Sequence, residues 1–138
     1  MSEFSSGFEE IDHTADLCLK IWGDSIKSLF LAALSGLYHI AGVVFDEESR
    51  SGIQHHRFED SDLENLLVSF LSEWNYRMQY EHQYVKIINF ETHQFVLDID
   101  YKIFKVFEFQ KEIKAVTFHN LEIVWTEHGY SASVVFDV

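Results

Sequence analysis

The chain has 138 residues, 47% of them hydrophobic and 16% aromatic, with 23 acidic against 10 basic side chains, no proline and one cysteine. Thirteen Phe, six Tyr and three Trp offer far more burial energy than a disordered, charge-rich segment could, so disorder is excluded and one domain over residues 1–138 is expected. The net charge of −13 argues against direct nucleic-acid binding, which depends on Lys and Arg neutralising phosphates, and favours cations or a basic macromolecule as partners.

Cys18 has no second cysteine to pair with, and the opening MSEFSSGFEE has neither the basic nor the apolar region of a signal peptide. No apolar run approaches the roughly 18 residues of a membrane span. These features predict a reducing, cytoplasmic setting without membrane contact. Zero prolines leave no collagen-like or proline-linker reading.

In chain order, the alternation of Leu17, Leu19 and Ile21 predicts a strand, because successive side chains leave opposite faces of a sheet. Cys18 falls within it and reads as a buried thiol rather than a nucleophile. A first helix follows: Ile26, Leu29, Phe30, Ala33, Leu34, Leu37, Ile40 and Ala41 share a 3.6-residue period, with Asp24 or Ser25 as N-cap and Gly42 as stop. Gly52 to Phe58 reads as a strand. The second helix opens on an S-x-x-E capping box at Ser61 and Glu64, with a stripe through Leu63, Leu66, Leu67, Phe70, Leu71, Trp74 and Met78.

Further strands are predicted at Tyr84 to Glu91, Gln94 to Phe104, Lys105 to Ile113, Val116 to Thr126 and Tyr130 to Phe136, with His128-Gly129 as a hairpin tip. Within Gln94 to Phe104, Phe95, Leu97, Ile99, Tyr101 and Ile103 share one face and Asp98, Asp100 and Lys102 the other. A late run of hairpin-connected strands predicts an α+β two-layer sandwich: a mostly antiparallel sheet with two amphipathic helices on one face. Charge is uneven along this order. From Lys86 to Lys114 five lysines balance five acids, so the remaining segments carry the whole excess.

No phosphate-binding glycine loop, C-x-x-C or H-x-x-x-H spacing occurs. His55 and His56, on opposite faces of a predicted strand, read as surface histidines. Two acidic features remain: Asp12-His13-Thr14-Ala15-Asp16, leading into the first predicted strand, and Asp137 one residue before the α-carboxylate of Val138. If Asp16 lay opposite Asp137, three carboxylates would converge, and their repulsion would favour a hard cation bound through oxygen. By spacing alone, turn or strand-end capping is the competing and simpler role for Asp12 and Asp16.

The same residues carry a resemblance. Asp12-His13-Thr14-Ala15-Asp16 followed by Trp22-Gly23-Asp24-Ser25, Asp62 to Leu67 with Phe70 to Trp74, Glu112 to His119 and the closing Phe136-Asp137-Val138 together resemble the archease family, in order and over nearly the whole chain. The resemblance implies a non-catalytic protein cofactor that promotes guanylylation and multiple turnover of the GTP-dependent RNA ligase of tRNA splicing and RNA repair. It further implies a divalent-cation site at Asp16 and Asp137, with Val138 adding its backbone or terminal carboxylate. The resemblance implies calcium as the bound ion, with magnesium or manganese as alternatives. Lys114 matches a family lysine associated with activation, while Asp12 and His13 support the loop.

One departure from the family pattern falls at Lys105 to Lys111, where a longer loop is common and a bare strand is expected here. A second role implied by the resemblance is chaperone-like modulation of a tRNA-modifying enzyme such as a tRNA methyltransferase. A hydrolase using Asp12, His13 and Asp16 is disfavoured, because no nucleophile or oxyanion feature accompanies the carboxylates.

Overall fold

A computed structural model describes residues 6–12, 16–118 and 120–138. The elements run β1 (Gly7–Asp12), β2 (Asp16–Gly23), α1 (Ile26–Ala41), β3 (Val44–Asp46), β4 (Gln54–Glu59), α2 (Leu63–Tyr80), β5 (Gln83–His93), β6 (Val96–Glu108), β7 (Ala115–Thr117), β8 (Val124–Thr126) and β9 (Gly129–Asp137). Every ladder is antiparallel. The α+β sandwich with two helices is as the sequence predicts. Its strands divide between two sheets: β1-β2-β9-β7 with β8 also on β9, and β3-β6-β4 with β5 on the other side of β6. Each helix touches strands of both sheets.

The helices form where local chemistry fixes their ends. Ser25 caps α1: its Oγ accepts from the Ser28 N–H at 3.1 Å, while Ser28 Oγ accepts from the Ser25 N–H at 3.0 Å. Gly42 ends the helix at φ 63°, a left-handed conformation that suits a residue without Cβ. On α2 the cap is Asp62 and not Ser61. Asp62 Oδ1 accepts from the Asn65 N–H at 2.7 Å, and Glu64 instead accepts from the Ile123 N–H at 3.0 Å, far along the chain.

Between the helices and sheets lies one core in which Leu19, Ile21, Phe30, Leu37, Leu66, Phe70, Trp74, Leu97, Ile99, Val134 and Phe136 are buried. Aromatic contacts run through it, from Phe30 to Phe70 (ring centroids 5.2 Å), Phe70 to Trp74 (6.0 Å) and Trp74 to Tyr101 (5.1 Å). Arg77 closes this end, donating to Glu73 and to the Tyr101 hydroxyl at 2.7 Å each and lying over both the Trp74 and Tyr101 rings.

Helix α1 approaches β2 closely at Gly36, where an added Cβ would lie 2.4 Å from Leu19 Cδ2. Leu19 is fully buried, so its side chain has nowhere to swing. Gly36→Ala is therefore expected to destabilise by about 1–3 kcal/mol from overpacking, despite a helix-propensity gain of up to about 1 kcal/mol. Thermal denaturation checks this, and a raised Tm would contradict it.

Several strand boundaries differ from the sequence reading. Gln94 and Phe95 form the turn between β5 and β6, with Gln94 at φ 55°, rather than the start of a strand. The strand β6 runs on to Glu108, absorbing 105–108 of the expected next strand, while 109–114 is irregular. The expected Val116 to Thr126 strand is two short pieces, β7 and β8. Ile103 is half-buried where Phe104 and Val106 turn inward, so the inward face of β6 changes phase after Tyr101. Cys18 is half-buried, on the face of β2 opposite Leu17 and Leu19.

His55 and His56 do face opposite ways. His56 packs against Phe58 and Trp74. His55 is exposed on β4, its Nδ1 2.9 Å from Asp100 Oδ1 and its Nε2 3.1 Å from Asp98 Oδ1, both on β6. Only the imidazolium can donate at both nitrogens. The Asp100 hydrogen bond raises the His55 pKa above 6.5, and its counterpart lowers that of Asp100 below 3.8.

The signs define a window. The raised histidine contributes fully below its unfolded value near 6.5 and loses its effect as pH rises through the folded midpoint. The lowered aspartate contributes above 3.8 and loses its effect as pH falls through its own folded midpoint. An NMR titration is expected to place the His55 midpoint above 6.5, returning toward it in Asp100→Asn. An unchanged midpoint in that variant would remove Asp100 as the cause.

Candidate metal centre

The strands β2 and β9 are neighbours in the five-stranded sheet, in register from Asp16↔Asp137 through Leu17↔Phe136 to Gly23↔Tyr130. Alternation explains what each end exposes. Leu17, Leu19 and Ile21 on β2 and Ala132, Val134 and Phe136 on β9 turn into the core. The next pair outward, Asp16 and Asp137, sits where the core ends, with Asp16 half-buried and Asp137 exposed. Residues directly opposite on antiparallel strands have Cβ atoms about 4.5–5.5 Å apart, and like charges there destabilise the pair.

On its other side β9 pairs with β7, where Ala115 stands opposite Asp137 and the Lys114 N–H donates to the Asp137 carbonyl at 2.7 Å. Lys114 is exposed, and Val138 packs partly buried against the core. The fold thus gathers Asp16, Asp137, Val138 and Lys114 at one sheet end. Asp12 reaches the same end through β1, opposite Leu17. His13 lies outside the described residues. Among the described residues, no three His, Cys, Asp or Glu side chains close around a common point. The oxygens on offer here are two carboxylates and the adjoining main chain, an all-oxygen set of the kind that hard divalent cations take, with water completing the shell.

Sequence reasoning missed what holds Lys114 in place. Asn75, buried on α2, donates from Nδ2 to the Ile113 carbonyl at 2.9 Å, and Gln79 Nε2 donates to the same oxygen at 2.7 Å. These two amides tie the irregular segment before β7 to the second helix. The signal available was Asn75 beside Trp74 and Met78, a polar residue at an inward position of the apolar stripe. Beyond it, Tyr76, Tyr80 and Lys114 line a groove of about 260 Å³ between α2 and β7.

Together these features define a small, acidic α+β sandwich that sets a pair of carboxylates across neighbouring strands at one sheet end. Residues 8–138 match the model of the Archease protein family (MTH1598/TM1083), and the chain belongs to that family. It is 31% identical to the protein archease of Methanosarcina barkeri, with both chains covered in full. It is 26% identical to that of Methanopyrus kandleri, covering 95% of this chain and 99% of that one.

The fold also matches two solved structures with a TM-score of 0.69 and 22% identity each. One is the crystal structure of an archease, possible chaperone, from Thermotoga maritima, covering 94% of this chain and 96% of that one. The other is the solution structure of protein 1598 of Methanobacterium thermoautotrophicum, covering 96% and 99%. No helix among the described residues is long and apolar enough to cross a membrane.

Proposed function

We propose that this chain is a cytoplasmic, non-catalytic protein cofactor that activates the GTP-dependent RNA ligase of tRNA splicing and RNA repair. In this reading Asp16, Asp137 and the main-chain oxygens of Val138 hold a divalent cation, with calcium, magnesium or manganese as the candidates. The observation that carries it is the direct cross-strand opposition of Asp16 and Asp137, an arrangement unfavourable in itself and made favourable by a dication. Family membership supports the same reading.

A bound divalent ion supplies neutralisation of the charge that develops on phosphate during nucleotidyl transfer. The chain's own part is to present that ion. β2 and β9 fix the spacing of the carboxylates, and Asn75 and Gln79 fix the segment that carries Lys114. The net charge of −13 draws the chain toward a basic, RNA-binding enzyme and away from the RNA itself.

The test is transfer of labelled GMP from GTP to purified RNA ligase. Adding the chain is expected to raise both the rate and the number of turnovers, and a ligase indifferent to it would refute the assignment. A chaperone-like role toward a tRNA methyltransferase, in keeping with the description of the Thermotoga maritima relative, would instead appear as protection of that enzyme from aggregation independent of Asp137.

A further inference from the structure

Far from the carboxylate pair in sequence, the end of the four-stranded sheet exposes two large apolar side chains, Val44 at 45% and Phe107 at 59%. The exposure of Phe107 is built into the backbone. Val44 pairs with Glu108 and Phe45 with Val106, so the register skips Phe107 and leaves it without a cross-strand partner. Such a bulge re-aims a side chain, while Phe104 and Val106 beside it stay in the core.

Phe107 and Val44 border an open groove of about 460 Å³ that Val43 and Phe45 also line. Its floor is rigid: Phe45 stacks on Tyr84 with centroids 3.8 Å apart and planes 5° from parallel, and meets Phe104 edge-on. Asp46, Glu47 and Glu48 line the same groove, and Glu108 lies opposite Val44. The turn that carries the three acids is pinned. Asp46 Oδ1 accepts from the Glu48 N–H at 2.9 Å, Ser49 Oγ donates to the Asp46 carbonyl at 2.7 Å, and the Lys105 N–H donates to Ser49 Oγ at 2.8 Å. Among the described residues, none of the four carboxylates is in an ion pair.

We propose that this groove docks a basic segment of another protein, with an apolar side chain seated between Val44 and Phe107 and flanking Lys or Arg facing Asp46, Glu47, Glu48 and Glu108. Charge selects this occupant. A polyanion or an anionic lipid surface would be repelled, and a second copy of the chain would set the same acidic rim against itself, whereas a basic segment gains complementarity and a desolvated anchor. The inference is independent of the metal reading, and its test uses neither metal nor ligase.

The experiment titrates the isotope-labelled full chain with three synthetic peptides, one of alternating Lys and Leu, one of Lys and Ser with equal charge, and one of Ser and Leu, following amide shifts by NMR. The Lys-Leu peptide is expected to shift the amides of 43–48 and 105–108 and to lose about tenfold in affinity in both Phe107→Ser and the double variant Glu47→Gln/Glu48→Gln, but not in Asp137→Asn. Phe107 and both glutamates are exposed, so these variants are expected to keep the remaining spectrum unchanged. Equal binding of the Lys-Ser peptide, insensitive to Phe107→Ser, would reduce the site to diffuse charge attraction and overturn the proposal. So would binding of the Ser-Leu peptide alone, or shifts of the same amides with protein concentration in the absence of peptide, which would assign the face to self-association.

Discussion

With calcium at about a hundred times its dissociation constant, the chain is expected to gain about 2.7 kcal/mol of stability, a rise in melting temperature of roughly ten degrees for a domain of this size. Asp16→Asn and Asp137→Asn should each abolish that gain. The control in chelator should show the opposite sign. Asp16 and Asp137 stand directly opposite one another, so neutralising either relieves a like-charge contact, and both variants should melt at or slightly above the wild-type temperature. A ligand pair predicts this crossover between conditions. Residues that merely cap strand ends would lose stability equally with and without metal, and that result, read by differential scanning calorimetry in calcium and in chelator, would return Asp16 and Asp137 to a structural role.

The largest stability effect is expected at Trp74. It is fully buried, meets Phe58, Phe70 and Tyr101 edge-on and lies under the Arg77 guanidinium. Trp74→Ala should cost about 3–5 kcal/mol in lost transfer energy and residual cavity, a large part of the 5–15 kcal/mol typical of a domain. The Arg77 contact and its hydrogen bond to Tyr101 would lose their backing at the same time. Trp74→Phe should cost much less. The buried Trp74 Nε1–H meets no acceptor among the described residues, so phenylalanine sacrifices no hydrogen bond and retains an aromatic surface. Denaturant unfolding of the two variants measures the difference, and comparable losses would mean that the indole nitrogen contributes a bond the structure does not contain.

Much of this arrangement is legible in the chain because its determinants are local. The 3.6-residue stripe from Ile26 to Ala41, Ser25 and Gly42 set α1 by themselves, and the alternation of β2 and β9 sets which faces turn inward. The opposition of Asp16 and Asp137 follows from those two strands once they are neighbours, because the pairing of Leu17 with Phe136 fixes the register outward by one residue. Where the reading fails, a distant partner decides. Glu64 has a suitable position for a capping box with Ser61, yet the Ile123 N–H claims it and Asp62 caps α2 instead.

Ile113 reads as the end of a strand, but its carbonyl is taken by Asn75 and Gln79, which holds the segment before β7 out of any ladder. The short strands β1 and β3 escaped notice for a different reason. One is half acidic and the other has three residues, so neither carries enough period-two signal. The skipped register at Phe107 is likewise a property of the β3 and β6 pairing and has no mark in the local sequence.

The most direct measurement is the rate of ligase guanylylation with wild-type chain, with Asp137→Asn and with Asp16→Asn, at fixed divalent concentration and with folding of each variant verified. The wild type is expected to accelerate GMP transfer and both variants to leave it at the rate of the ligase alone. Undiminished acceleration by folded Asp137→Asn and Asp16→Asn would contradict an activator that works through the carboxylate pair at the end of β2 and β9.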